Sequence, residues 1–451
     1  MPGDHDVDEL LAKAQQPALQ APRLHALYKG KIQIMPKCPI RGLDDFAIWY
    51  TPGVAEPCRR IVRDPDLIFE YTNRGNSIAI VTDGTRVLGL GDIGPQAALP
   101  VMEGKALLFK YLGGVDAAPV CLDTRDAQEI VRTVRLLAPA FGGINLEDIA
   151  QPKCFRVLDA LRADCPIPVW HDDQQGTAAV VLAALLNALK LVGKSLRHVR
   201  IAMIGAGAAN VATYRLLVRA GVAKEAVVVC DSKGTLHPGR RDIAAAMREY
   251  PEKWQLCMES NGERTVGGIA EALRGADVCL AFSRSGPGII EPGWIKAMAK
   301  SAIVFACANP VPEIWPWEAK EAGASIVATG RSDFANQVNN ALCFPGIFRG
   351  VLDVRAEAIT DGMAIAAAQE LAACVQETTL SAERILPGLD EWQVAARVAA
   401  ATASAAQSEG LARLSRSPTE IHEEALRRIG AARDATAALM RDGWITAPPP
   451  A

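Results

Sequence analysis

Histidine is scarce in this chain, with six residues in 451. That is too few for a histidine-rich metal centre. The eleven cysteines include no C-x-x-C pair, and Cys121, Cys230, Cys279 and Cys307 sit inside apolar runs. A zinc ribbon is thereby excluded, and the cysteines read as reduced core thiols. Excess charge of one sign is missing too. The formal net charge is -3, with no Lys/Arg tail or basic patch, so no nucleic-acid partner is expected. Local groups can still capture small anions. The opening stretch MPGDHDVDEL is acidic and lacks an apolar segment, unlike a signal peptide. The strongest membrane decoy, TAAVVLAALLNALKLVG at residues 177–193, contains Asn187 and Lys190. It is short for a span and rich in Ala and Leu, so it reads as a buried helix. These absences leave a soluble, cytoplasmic protein with no membrane partner as the expectation.

What is present points to large cores. Half of the residues are hydrophobic and 22% are charged, and the length allows two or three domains. In the first part, NSIAIVTDG reads as a strand ending in a turn. LPVMEGKALLFKYLGG reads as a helix stopped by Gly113 and Gly114, and DAAPVCLD as a second strand. From Arg200 onward the pattern becomes regular. VRIAMIGAG, EAVVVCDSKG, ADVCLAFS, SAIVFACANP and ASIVATG are strand candidates, several of them separated by helical segments. The fold class is therefore α/β: an N-terminal α/β domain followed by a Rossmann-like, doubly wound parallel sheet. We place an N-terminal catalytic domain at residues 1–160, a nucleotide-binding domain at 161–400 and a helical C-terminal tail at 401–451.

Two glycine stretches compete for a dinucleotide. GLGDIG, at residues 89–94, fits G-x-G-x-x-G in full. However, Asp92 lies inside its turn, where a carboxylate repels pyrophosphate, and Pro95 follows at once. It reads as tight backbone geometry beside an active site. GAGAAN places Asn210 where a third glycine or alanine is usual, yet its context is better. A strand delivers the turn, a helix follows, and the next strand ends at Asp231, at the distance expected of a ribose-binding carboxylate. The dinucleotide is assigned to Gly205, Ala206, Gly207, Ala208, Ala209 and Asn210, with Asp231. Asp231 favours NAD, whereas Ser232, Lys233 and Arg240 nearby keep NADP open.

Acidic pairs stand at the ends of apolar segments: Glu147 and Asp148 in NLEDIA, and Asp172 and Asp173 in HDDQQGT. Such oxygen donors suit Mg²⁺ or Mn²⁺, while helix capping and a turn explain them equally well. His171 beside them reads as structural or as support for a ligand. Lys105, in MEGKALLFK, is either a buried amine of lowered pKa, fit to act as a base, or a lysine snorkelling to the surface. Tyr50, ahead of a Pro-Gly turn in WYTPGVAEPCR, is either a phenol fixed for chemistry or a packed side chain.

At these residues the chain resembles the malic enzyme family, especially its short bacterial type, over about residues 25–400. The resemblance is carried by YTPGVAEPCR, VTDGTRVLGLGDIGPQAALPVMEGKALLFK, NLEDIA, HDDQQGTAAV, GAGAAN, ANPVPEI and ATGRSDFANQVNNALCFPGIFRG. It implies metal-dependent oxidative decarboxylation of (S)-malate to pyruvate and CO₂ with reduction of NAD or NADP. It further implies Tyr50 as general acid, Lys105 as general base and Asp172 as the residue that orients the lysine. Glu147, Asp148 and Asp173 match metal ligands, Arg86 a carboxylate-binding arginine, and Asn309 and Asn340 substrate-orienting asparagines. A homodimer or higher homo-oligomer is implied as well. The chain departs from the family at Asn210, at Gln175 where histidine is commoner, and at Trp49 beside Tyr50. The last two motivate an alternative substrate, a modified 2-hydroxy diacid. A catalytically degenerate nucleotide-binding protein is the other alternative.

Overall fold

The computed structural model describes residues 7–449. Most of the acidic opening stretch, and the last two residues of the Pro-rich end, lie outside it. Four parallel strands form the first sheet in the order β2-β1-β3-β4: β1 (Ser77–Thr82), β2 (Asp116–Cys121), β3 (Gly143–Leu146) and β4 (Val169–His171). The four-residue β3, GINL, is too short to stand out by pattern. β4 belongs to this sheet although it lies beyond residue 160. Between Ser77 and Thr82 β1 is wholly apolar, and it is buried on both faces after its first residue, as a central parallel strand requires.

The second sheet has six strands in the order β10-β9-β8-β5-β6-β7: β5 (Ile201–Ile204), β6 (Val227–Asp231), β7 (Gly234–Thr235), β8 (Val278–Ala281), β9 (Ala302–Ala306) and β10 (Ala324–Thr329). All pairings are parallel except that of the short β7 with β6. The chain runs outward from β5 in both directions, so the strand order reverses between β5 and β8. A ligand crevice belongs at that reversal.

The apolar run read as a buried helix forms the helix Thr177–Val192. With the turn before it, this is the one segment among the described residues long and apolar enough to cross a membrane. Most of it is buried inside the protein. It packs between the helices Ala208–Arg219 and Asp361–Ala373, and one continuous core joins residues of both sheets through it. The C-terminal helix Pro418–Arg441 opens with a Ser417–Glu420 capping box. It buries Ile421, Ala425 and Ile429 and lies against the helix Gly94–Gly113, so the tail is part of the packed body. All eleven cysteines are free.

Candidate active site

The chemistry-bearing residues gather where the strands of the first sheet end. Asp83 follows β1, Glu147 and Asp148 follow β3, and Asp172 and Asp173 follow β4. Because these strands are neighbours and parallel, their carboxyl ends share one edge. Backbone bonds hold the loops together there. Glu147 N–H donates to Val81 O at 2.9 Å, and Arg86 N–H to Asp148 O at 3.0 Å. Asp148 N–H donates to a carboxylate oxygen of Asp173 at 2.8 Å.

Lys105 comes from the helix Gly94–Gly113 and is 8% exposed. Its Nζ bonds to the Asp172 carboxylate, lies 2.9 Å from Glu147 Oε1, and sits 4.2 Å from the centre of the Phe344 ring. Burial pushes this amine toward its neutral form. The carboxylates of Asp172 and Glu147 outweigh burial and hold the group protonated, above its ordinary value. The expectation of a lysine whose pKa is lowered by burial is thereby corrected: the apolar neighbours in sequence say nothing of two carboxylates brought in by the fold. The snorkelling alternative falls with it.

Asp172 is fixed on both oxygens, by Lys105 and by Trp170 Nε1 at 3.1 Å. It opens a π-helical turn, Asp172–Gly176. A Cβ on Gly176 would meet Asp172 Oδ1 at 1.8 Å, so only glycine closes this turn. Asn340 lies beside the same turn, its Cβ 3.4 Å from that point. Gln175 spends its carbonyl on the backbone N–H of His171 at 3.0 Å.

Burial and the charge of Asp173 push Asp148 up to about 8. Burial raises Glu147 well above the usual carboxylate range against Lys105's lowering pull, with the charges of Asp173, Asp172 and Asp148 adding to the rise. Among the described residues no three His, Cys, Asp or Glu side chains stand in a ready metal geometry. Yet Asp148 Oδ2 is buried with no hydrogen-bond partner. The crowding of oxygen donors, together with this orphaned oxygen, fits a hard divalent ion once the carboxylates turn inward.

The sequence alone did not single out Asp83. It is buried, pairs with Lys153 and accepts from the Thr85 hydroxyl at 2.7 Å, while Thr85 in turn accepts from Ala150 N–H at 2.9 Å. This buckle holds the loop carrying Glu147 and Asp148 against the end of β1. The only hint was its place after a strand, in VTDG, which a turn explains equally well.

GLGDIG forms a tight turn, with Val87 N–H on Gly91 O and Gly94 N–H on Gly84 O, and Asp92 pairs outward with Arg125. Gly89 lies near Asn309 after β9; a Cβ there would come 3.6 Å from Asn309 O. This turn therefore bridges the two sheets beside the site, and Arg86 within the same loop bonds Leu88 O.

GAGAAN joins β5 to the helix Ala208–Arg219. Gly205 has φ +106, and a Cβ on it would lie 2.5 Å from Phe282 O. Asn210 is buried and donates to Ile204 O and Gly205 O at 3.0 and 2.9 Å. The bulk that departs from the pattern is turned under the loop as a brace. The helix start has no side-chain cap, leaving N–H groups for an anion. Asp231 ends β6, gripped by Arg240 at 3.0 Å on each oxygen, by Lys253 at 3.4 Å and by Lys233 N–H at 2.9 Å.

Tyr50 stands apart from this assembly. It follows the short helix Leu43–Trp49 and is 72% exposed.

Two family models match: "Malic enzyme, N-terminal domain" over residues 29–162 and "Malic enzyme, NAD binding domain" over residues 174–407. The chain belongs to the malic enzyme family. It is similar to the bifunctional malic/malolactic enzyme of Bacillus subtilis, with 48% identity over 90% of this chain and 97% of that one. The NADP-dependent malic enzyme of Halomonas elongata shares 43% identity over 85% of this chain and 92% of that protein. The crystal structure of the Entamoeba histolytica malic enzyme superposes with a TM-score of 0.94 at 47% identity, covering 99% of this chain and 93% of that one.

Proposed function

We propose that this malic enzyme oxidises (S)-malate and decarboxylates it to pyruvate, with Lys105 as the proton-transfer group and Glu147, Asp148 and Asp173 as the seat of a divalent ion. The observation that carries the reading is the Lys105–Asp172–Glu147 cluster, set at one strand edge with Asp148 and Asp173 beside it. When bound, Mg²⁺ or Mn²⁺ would supply positive charge beside the C2 oxygen and relieve the carboxylates that now hold the Lys105 proton, while NAD or NADP would supply the hydride acceptor.

Lys105 takes the proton of the C2 hydroxyl as C2 gives up its hydride, and Asp172 and Trp170 keep the lysine aimed. After C4 leaves as CO₂, Lys105 returns that proton to the C2 oxygen; as the ketone forms, Tyr50 delivers a proton to C3, Lys105 takes the enol proton back, and that proton recharges the Tyr50 phenol. One proton is taken from malate and one is returned to C3, so the protein gains none. Arg86 neutralises a substrate carboxylate, and Asn309 and Asn340 orient oxygens without adding charge. Gly205, Ala206, Gly207, Ala208, Ala209 and Asn210 form the pyrophosphate turn, and Asp231 with Arg240 borders the ribose. Gln175 is engaged with the backbone of His171, so it does not favour a substituted diacid over malate. The intact Lys105 cluster speaks against a degenerate protein.

The test is a matrix of malate with NAD or NADP and with Mg²⁺, Mn²⁺ or chelator, following pyruvate, lactate and CO₂. Pyruvate and CO₂ in equal amounts, lost with chelator, is the expected result. Unchanged turnover in chelator would remove the metal assignment, and absence of malate turnover in every cell would remove the reading.

A further inference from the structure

Glu313 is a carboxylate with no exposed surface, and nothing in the chemistry above uses it. It stands near the end of ANPVPEI, the stretch that carries Asn309 away from β9. Pro310 and Pro312 in that stretch have no N–H group, so the loop has few backbone bonds of its own to make. Glu313 supplies the missing ties. Its Oε2 accepts from Ala308 N–H at 3.0 Å, next to Asn309. Its Oε1 accepts from the backbone N–H and the hydroxyl of Ser283, at 2.8 and 3.0 Å, in the loop after β8. One side chain thus spans the loops that leave two neighbouring parallel strands. Backbone bonds follow the same seam: Gly286 N–H donates to Val311 O at 3.1 Å, and Ile290 N–H to Glu313 O at 3.2 Å.

Each tethered loop touches a different part of the site. Phe282, the residue before Ser283, presents its carbonyl to the dinucleotide turn, where a Cβ on Gly205 would meet it at 2.5 Å. On the other side Asn309 packs on Gly330, where a Cβ would come 2.7 Å from Asn309 Nδ2, and Arg331 donates to Pro310 O at 3.2 Å. Burial raises the Glu313 carboxyl above its ordinary range, and the main groups opposing the rise are N–H and O–H donors, with no cation among them. A carboxylate held in the interior without a counter-charge is costly. A packed apolar side chain would avoid that cost, but it could not accept three bonds from two loops.

We propose that Glu313 is a positioning residue: it locks the loop beside the dinucleotide turn to the loop carrying Asn309, and so sets the spacing between the nicotinamide and C2 of malate. The proposal rests on the malic enzyme reading, which puts the dinucleotide at GAGAAN and malate beside Asn309. Reacting atoms must be held about 3–3.5 Å apart, and a misplacement of about 1 Å costs on the order of 100-fold in rate. Glutamine at this position keeps the shape but not the bonding pattern. Its amide oxygen can serve Ser283 or Ala308. Its NH₂ then faces the N–H of the other, donor against donor, and that loop is released.

The test compares Glu313→Gln with the wild type on malate and on malate deuterated at C2, following pyruvate. kcat/KM for malate is expected to fall about tenfold or more. The deuterium isotope effect on kcat/KM is expected to rise, because a wider gap between C2 and the nicotinamide slows the hydride step alone. A merely structural defect lowers the amount of working enzyme and leaves the isotope effect where it was, since inactive molecules drop out of the ratio. A wild-type isotope effect in the variant therefore overturns the proposal, and so does a wild-type kcat/KM. Should Glu313→Gln fail to fold, Ser283→Ala removes the hydroxyl bond alone. It is expected to raise the isotope effect by less, and no rise there overturns the proposal. If the wild type leaves malate untouched, the malic enzyme reading of the site falls, and the tie between the loops is judged by NADH fluorescence. Affinity weakened about fivefold or more in Glu313→Gln supports the tie, and unchanged affinity overturns it.

Discussion

Gly176→Ala sets two effects of opposite sign against each other. Gly176 has φ −66 and ψ −44, helical values that alanine adopts freely. Helix propensity alone therefore predicts a gain of about 1 kcal/mol. The added methyl, however, would fall 1.8 Å from Asp172 Oδ1 and 2.7 Å from its Cγ. A free carboxylate would swing away cheaply, but this one is held by Lys105 and by Trp170 at 3.1 Å. Moving it breaks two charge-assisted bonds at roughly 1.5–3 kcal/mol each. Sterics win by about 2–5 kcal/mol of net destabilisation. The same displacement takes the orienting carboxylate from Lys105, so kcat should fall at least tenfold. The assay is the urea midpoint by near-UV circular dichroism alongside kcat at saturating malate. A variant as stable and as active as the wild type would refute both the packing of the π-helical turn and the role given to Asp172.

Lys105→Gln should lower kcat by about 10²–10⁴ while NADH binding, read by fluorescence, stays within about twofold. Arg240→Ala removes one bond from each Asp231 oxygen and with them the cation nearest that carboxylate. The ratio of kcat/KM for NAD over NADP should rise about tenfold, worth ~1.4 kcal/mol, and an unchanged ratio would separate Arg240 from ribose recognition. Asn210→Ala deletes two bonds to the carbonyls ahead of the glycine turn; stability should drop by about 1–3 kcal/mol and KM for the dinucleotide should rise. Burial works to raise Asp231, but Arg240, Lys233 and Lys253 hold it below its ordinary value. Its folded pKa lies below the unfolded one, so its contribution is present above about pH 4 and lost as pH falls further. Wild-type Tm should therefore drop more steeply than that of Asp231→Asn between about pH 5 and pH 3.

The second sheet was legible because its strands are apolar runs with polar or turn-forming ends: glycine after β5 and β10, Asp231 closing β6, Ser283 after β8 and Asn309-Pro310 after β9. β3 escaped because four residues, GINL, hold too little pattern to separate a strand from a loop. The choice between the glycine stretches was legible in electrostatics: Asp92 inside the first turn is incompatible with pyrophosphate, and its carboxylate does turn away to Arg125. Asp83 was not legible, because a carboxylate after a strand serves a turn as readily as it buckles two loops. Nor was the placement of Tyr50. Its Pro-Gly turn fixes local shape, while its setting depends on contacts of its flanks with distant residues, such as Lys37 with Asp116.

The largest discrepancy, the charge on Lys105, follows from counting the cluster. Around this single ammonium the fold places Glu147, Asp148, Asp172 and Asp173, while His171 beside them is driven toward its neutral form by burial. One cation cannot compensate four carboxylates in a buried setting. Burial, with this shortfall adding to it, lifts Asp148 to about 8 and Glu147 well above its ordinary range. An amine in such company stays protonated as long as it is the principal positive charge within reach, however apolar its own helix neighbours. A base function for Lys105 thus requires a second cation at the same strand edge. Mg²⁺ should therefore raise the thermal stability of Lys105→Met, which lacks that ammonium, by more than it raises that of the wild type. Equal stabilisation of the two proteins would place the ion away from these four carboxylates.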